Sequence, residues 1–271
     1  MNSIVKKLLG ENLLPLHRLR AGLTGLALCG FITACSPTPD PRLAAIAAND
    51  QPYNTGWQFF RSDNALDLAT AQQHQDWQTI QIPHTPKIEP LVVNEQFQGD
   101  AWYKKIITPE AGWKEKQIAL KFEAAMNVAE VWLNGEKLTT HVGGYLPFTV
   151  NLTEKLKWDS PNELMVRLDN RDNPITGPKP LKDLDFNTYG GIYRSVQLQI
   201  NNDLHITDAV AAGKKASGGI FVTYPQVSKE QAMVRIQTHV YNAHYDPKKF
   251  RVVQRLMDGE KVVADQTSPL L

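Results

Sequence analysis

An all-β fold is what this 271-residue sequence predicts, and three observations predict it. Apolar residues recur at every second position through the middle of the chain, the period of strands with one buried face. No segment sustains a helical period. Gly or Pro interrupts the pattern about every ten to twenty residues, as turns between short strands require. Together these features describe an antiparallel β-sandwich.

The first 35 residues are of another kind. Lys6, Lys7, Arg18 and Arg20 precede an apolar run from Ala21 to Ala34. That run is shorter than the ~20 residues a membrane-spanning helix takes, and it suits the h-region of a secretory signal. It closes on Ile32-Thr33-Ala34-Cys35 and resembles a bacterial lipoprotein signal, in which cleavage falls before the cysteine and the thiol is lipidated. A plain cleaved signal that happens to contain a cysteine is the alternative. With lipidation, residues 1–34 are the signal and Cys35 is the anchored first residue. Ser36 after it points to the outer membrane, and the prolines at 37, 39 and 41 make 35–51 a tether. Cys29 lies in the removed segment, so the mature chain has no disulfide.

The strand signals follow in order. Ile118, Leu120 and Phe122 alternate with Gln117, Ala119, Lys121 and Glu123. Ala129, Val131 and Leu133 alternate with Glu130 and Trp132 and run into Asn134-Gly135, the strongest short hairpin signal. Leu164, Val166 and Leu168 repeat the pattern opposite Met165 and Arg167. Val196, Leu198 and Ile200 do so again opposite Ser195, Gln197 and Gln199. Just before that last strand lies Asp183-Leu-Asp-Phe-Asn-Thr-Tyr-Gly-Gly-Ile-Tyr-Arg194, in which acids, an amide and tyrosines surround the Gly190-Gly191 pair. Polar and aromatic side chains on a loop held by a rigid sheet are a common binding device. By composition alone the stretch also reads as an ordinary surface turn, since loops collect Asp, Asn and Gly.

A formal net charge of +1 argues against a nucleic-acid partner, which would call for a concentrated basic face. Gly-x-Ser-x-Gly, His-Glu-x-x-His and Gly-x-Gly-x-x-Gly motifs are missing. His239 and His244, five apart on one expected strand, point to opposite faces and do not share a metal. His84 reads as structural, fixing a turn beside Pro83, and Arg194 as a hydrogen-bonding fork at the start of a strand.

Six stretches, in order, carry a resemblance. They are Asn54–Phe60, Asp76–Thr85, Gly99–Lys105, Phe122–Gly135 continuing through His141–Phe148, Val166–Asn170, and the Asp183–Arg194 stretch with its Gly191-Ile-Tyr-Arg194. This part of the chain resembles the N-terminal sugar-binding jelly-roll domain of glycoside hydrolase family 2, the family of β-galactosidases, β-glucuronidases and β-mannosidases. The resemblance implies a jelly-roll β-sandwich over 52–202. Beyond it, His205–Val210, Gly218–Tyr224, Ala232–Asn242 and Phe250–Leu256 resemble the start of the family's immunoglobulin-like domain, so 203–271 is expected to be a partial domain of that kind. Such a sandwich takes about seven strands and ~100 residues, and the family's catalytic (β/α)₈ barrel another ~250.

In the family two barrel glutamates perform hydrolysis, and the acid/base one follows an asparagine. Asn94-Glu95 and Asn162-Glu163 have that form, but neither follows a barrel strand, and no catalytic residue is assigned here. The resemblance instead makes Asp185 the acid that this domain extends toward substrate hydroxyls, with Asn187, Tyr189 and Asn94 as further substrate contacts. Sugar sites combine such groups with aromatic rings. No cofactor or metal is expected in this chain; a sodium or magnesium ion is what the resemblance allows in a full-length member. The expected function is the non-catalytic N-terminal portion of a secreted, lipid-anchored β-glycosidase, most like a β-galactosidase, with a β-linked glycoside as partner. The expectation that the chain is a portion rests on Ser268-Pro-Leu-Leu271 closing it with part of a sandwich unbuilt. The alternative is a complete, non-catalytic glycan-binding lipoprotein of the cell surface.

Overall fold

The computed structural model describes residues 50–90, 96–176 and 188–271. They gather into two compact units that part between Asn202 and Asp203. In the first unit the early strands are β1 (Asp50–Pro52), β2 (Trp57–Ser62), β3 (Gln78–Ile80) and β4 (Asp100–Ile107). Next come β5 (Gln117–Phe122), β6 (Val128–Leu133), β7 (Glu136–Val142), β8 (Phe148–Asn151), β9 (Asn162–Asp169) and β10 (Val196–Asn201). They form a four-stranded sheet in the order β1-β10-β5-β8 and a six-stranded sheet in the order β3-β2-β4-β9-β6-β7. Every pairing is antiparallel. From β4 onward the chain passes repeatedly between the sheets, so the fold is the expected β-sandwich of jelly-roll type.

The alternation in the sequence sets the inner faces. Ile118, Leu120 and Phe122 from the small sheet meet Ala129, Val131, Leu133, Leu164, Val166 and Leu168 from the large one in a single core. Each fully buried aliphatic or aromatic side chain there contributes about 1.5–3 kcal/mol relative to exposure. The Asn134-Gly135 signal forms the expected hairpin: Leu133 pairs with Glu136 across a two-residue loop. Both loop residues have positive φ, 53° and 84°, the geometry that matches strand twist.

The outer face of the large sheet departs from the expected pattern. Trp132 and Met165, expected on the polar side of their strands, are buried with Phe60, Trp102 and Ala71 in a second apolar cluster. The cover is the segment after β2, which includes a one-turn helix, α1 (Leu68–Gln72), capped by Asp67 Oδ1 accepting from Thr70 N at 2.8 Å. Five residues are too few to print a helical period on the sequence, which is why none was visible. Trp77, Leu66 and Leu68 close over the cluster.

Arg167 is only partly open to water. Its Nε and Nη2 donate to Asp100 Oδ2 and Oδ1 at 2.8 and 3.0 Å, and Arg171 Nη1 adds a bond to Oδ1 at 2.7 Å. Asp100 is wholly buried, and its Oδ2 also accepts from the Leu66 amide at 2.8 Å. Burial alone would raise this carboxyl; Arg167, the Leu66 amide and Arg171 outweigh it and hold it below the usual carboxylate range.

The second unit comprises β11 (Leu204–Ile206), β12 (Ile220–Val227), β13 (Ala232–Thr238), β14 (Val240–Asn242), β15 (Val253–Asp258) and β16 (Lys261–Thr267). They pair antiparallel as β11-β14, β12-β13 and β15-β16. The single strand expected over 232–242 is broken at His239, which is buried with Nδ1 2.9 Å from Thr207 Oγ1. His244 lies beyond β14 and is exposed, so the two histidines do not share a strand.

Candidate functional site

Of the residues expected to contact sugar, Tyr189 lies among the described residues. Asn94, Asp185 and Asn187, like the lipidation residue Cys35, lie outside them. What the structure does give is the ground on either side of the stretches that hold Asn94 and Asp185.

The chain returns to β10 through Thr188–Ser195. Gly190 and Gly191 take φ of +72° and +81°, open to glycine without a Cβ penalty. Space excludes a side chain as well: a Cβ on Gly191 would fall 2.6 Å from the His84 carbonyl oxygen and 2.7 Å from the Tyr103 hydroxyl. The Gly191 backbone exchanges both hydrogen bonds with Met126, at 3.1 and 2.9 Å. His84 N donates to the Ile192 carbonyl at 2.8 Å, while Ile192 N donates to the Tyr103 hydroxyl at 3.4 Å. That hydroxyl lies 3.0 Å from His84 Nδ1. Burial pushes the His84 pKa down and the Tyr103 pKa up, so both are neutral at pH 7. His84 also packs on Phe59, ring centres 4.4 Å apart, and so has the structural role expected of it.

Tyr189 stands at the edge of this anchored turn, about a third of its surface exposed. Its carbonyl accepts from Thr85 Oγ1 at 2.7 Å, and its hydroxyl donates to the Glu89 carbonyl at 3.4 Å. The neighbouring Thr188 amide donates to Gln96 Oε1 at 3.3 Å. Glu89 and Gln96 stand on either side of residues 91–95, and Thr188 follows 177–187. The ends of the stretches that hold Asn94 and Asp185 are therefore bonded to each other, beside the start of β4 and the close of β9.

The incoming side of the Asp185 stretch is anchored too. Thr176 Oγ1 accepts from Asn127 Nδ2 at 2.6 Å and from Asn173 Nδ2 at 2.5 Å, and Asn173 Oδ1 accepts from the Ile175 and Thr176 amides. Tyr193 donates from its hydroxyl to the Gly144 carbonyl at 2.6 Å, beside exposed Tyr145 and Leu146. Sequence reasoning gave none of these anchors a functional place. Asn127, Asn173 and Thr176 are ordinary loop residues until the fold brings residues 49 positions apart together.

Two expectations about single residues meet different ends. Asn162 is wholly buried, accepts from Asn134 Nδ2 and Lys157 N at 2.8 Å each, and donates to the carbonyls of Lys157 and Ser160. Glu163 beside it accepts from Gln72 Nε2 at 2.7 Å. These bonds give the pair a structural role. Arg194 differs: it is exposed, its guanidinium 6.0 Å from the Tyr193 ring centre, and among the described residues it makes no fork of hydrogen bonds at the start of β10. Arg194 precedes the first residue of β10, Val196, so the strand's alternation does not fix its direction. Among the described residues no group of three His, Cys, Asp or Glu side chains could hold a metal ion.

Fold and anchored segments define a β-sandwich that presents a tied pair of loop ends. The model of "Glycosyl hydrolases family 2, sugar binding domain" matches residues 57–201, more than half the chain, and the chain belongs to this family. A β-galactosidase of Thermoanaerobacter pseudethanolicus is 30% identical over 70% of this chain and 26% of its own length. A β-glucuronidase of Formosa agariphila is 27% identical over 78% of this chain and 23% of its own length. Among solved structures, β-glucuronidase 2 of Bacteroides uniformis, covalently bound to cyclophellitol-6-carboxylate aziridine, is similar at 32% identity with a TM-score of 0.66. That match covers 82% of this chain and 26% of the other. The chain thus spans about a quarter of the length of the relatives it matches.

Proposed function

We propose that this chain is the sugar-binding, non-catalytic N-terminal part of a secreted β-glycosidase that is lipid-anchored through Cys35 to the bacterial envelope, at the outer membrane. The Asp185 carboxylate would accept hydrogen bonds from neighbouring sugar hydroxyls, and Tyr189, Asn187 and Asn94 would add ring, amide and hydroxyl contacts. The observation that carries this reading is the bonding of Thr188 and Tyr189 to Gln96 and Glu89, because it brings the ends of the two sugar-contacting stretches together. Hydrolysis would fall to two carboxylates on the catalytic barrel, about 5–5.5 Å apart in a retaining enzyme. The relatives include β-galactosidases and β-glucuronidases; our reading of the sugar is galactose, from the sequence resemblance. The partial immunoglobulin-like identity of residues 203–271 is part of the same proposal.

One expression experiment with two readouts tests it. The full chain is made in a Gram-negative host, recovered from envelope and from a soluble Cys35→Ala version. Mass spectrometry is expected to find a lipid-modified Cys35 as the first residue; an unmodified Cys35, or cleavage elsewhere, overturns the anchor. NMR titration of the soluble version with methyl β-galactoside and methyl β-glucuronide is expected to show millimolar-range binding, about −4 kcal/mol, with shifts at the Thr188–Gly191 amides. Those shifts should vanish in Asp185→Ala. No localised shift with either sugar, well above the millimolar range, defeats the sugar site; a response only to the glucuronide defeats the galactose assignment.

A further inference from the structure

Two buried side chains that make no proposed sugar contact hold the same residue. The Glu89 carboxylate accepts from the Phe97 amide at 2.9 Å and pairs with Lys87 Nζ at 3.0 Å, its side chain 5% exposed. Asn170 donates from Nδ2 to the Phe97 carbonyl at 2.8 Å and accepts from the Gly99 amide at 2.8 Å. A carboxylate under the surface is unfavourable unless paired and hydrogen-bonded, and here it is both. Burial would raise the Glu89 carboxyl, but the Phe97 amide and Lys87 keep it below the usual range.

From Phe97 the contacts run on to the other loop end. A Cβ on Gly190 would fall 2.9 Å from Asn170 Nδ2, so the Gly190 backbone packs directly on that amide. Its neighbour Tyr189 donates back to the Glu89 carbonyl at 3.4 Å. The circuit closes through Glu89, Phe97, Asn170, Gly190 and Tyr189. In sequence, Glu89 and Phe97 flank Asn94, while Tyr189 and Gly190 follow Asp185 and Asn187.

We propose that Glu89 and Asn170 are positioning residues that join the Phe97 and Tyr189 segments into one cooperative unit, fixing the ends of both sugar-contacting stretches in a single mutual arrangement. The purpose of the unit rests on the sugar-site reading; its geometry does not. In a closed ring of shared contacts, loosening one member weakens the hold on the others, whereas independent anchors open separately.

Amide hydrogen exchange on the soluble full chain tests this. In Glu89→Ala, exchange is expected to quicken roughly tenfold at Phe97–Gly99, where the lost hydrogen bond was, and also at Thr188–Gly190, which the Glu89 side chain does not bond. Glu89→Gln, which keeps an acceptor for the Phe97 amide, should restore slow exchange at both. Asn170→Ala should quicken both, while Tyr103 and Val166 in β4 and β9 stay protected. Faster exchange confined to Phe97–Gly99 in Glu89→Ala overturns the proposal. Should that variant not fold, Tyr189→Phe removes only a hydroxyl and is read across the ring at the Phe97 amide, where unchanged exchange is the negative result. Titration with methyl β-galactoside in parallel separates the two readings. Coupled exchange with no sugar response keeps the cooperative unit and rejects the site, and a sugar response with uncoupled exchange does the reverse.

Discussion

Asp100 shows how much a single residue can hold together when its partners are distant in sequence. Its carboxylate receives Arg167 through two nitrogens, Arg171, and the Leu66 amide, and so ties the outer cover to the large sheet. Because its pKa is lower in the folded chain than in the unfolded one, its contribution is present above the unfolded value, ~3.9, and is lost as pH falls through the folded value. Asp100→Asn is expected to cost roughly 3 kcal/mol at pH 7, since it leaves two guanidinium groups short of their carboxylate. It should also flatten the acid limb of Tm against pH below about pH 4. A variant whose Tm runs parallel to the parent across that limb would show that Asp100 is not the titrating group. Nothing near Asp100 in the sequence signals this role, because Arg167 and Arg171 are brought to it only by the β4–β9 pairing.

The inner faces of the elements were legible and the outer ones were not. Alternation placed Leu164, Val166 and Leu168 in the core correctly, because a period of two assigns one face of a strand to the interior whatever packs against it. The same alternation placed Met165 outside, where the structure buries it beneath α1 and its flanks. Strand parity tells two faces apart; it does not say whether a second layer covers the other one. Met165→Ala therefore separates the two views. An outward Met165 would tolerate alanine within about 0.5 kcal/mol, whereas a buried one should lose about 2–5 kcal/mol, read as a lower urea midpoint at unchanged slope. The Asn134-Gly135 hairpin, by contrast, was legible in full, since both positive-φ positions are local and carry residues that accept them.

At the scale of the whole chain the two units differ in how they are held. The first has a core of fully buried Trp, Phe, Leu, Ile and Val between two sheets. In the second, the buried side chains are Val234, Thr238 and His239, while Ile220, Tyr224 and Val227 on β12 are more than half exposed. Two-stranded ribbons are marginal in water without a packed face. Limited proteolysis of the full chain is expected to cut within residues 203–271 first and leave a resistant fragment ending near Asn202. A second unit that survives as long as the first would mean its strands are held by more than their pairings.

The amino-acid sequence by itself determined the β class, the inner strand faces, the tight hairpin and, through six ordered stretches, membership of the family. All of these depend on local spacing or on residue identity, which a linear string carries intact. Only the tertiary structure decided that the large sheet has a covered outer face, that Asp100 and Asn162 are buried hubs, and that Arg194 points outward. It alone joined Glu89, Phe97, Asn170, Gly190 and Tyr189 into one ring. The physical reason is common to these cases. Burial and hydrogen-bond satisfaction are properties of groups meeting across long sequence separations, and no local period records which distant partner will arrive.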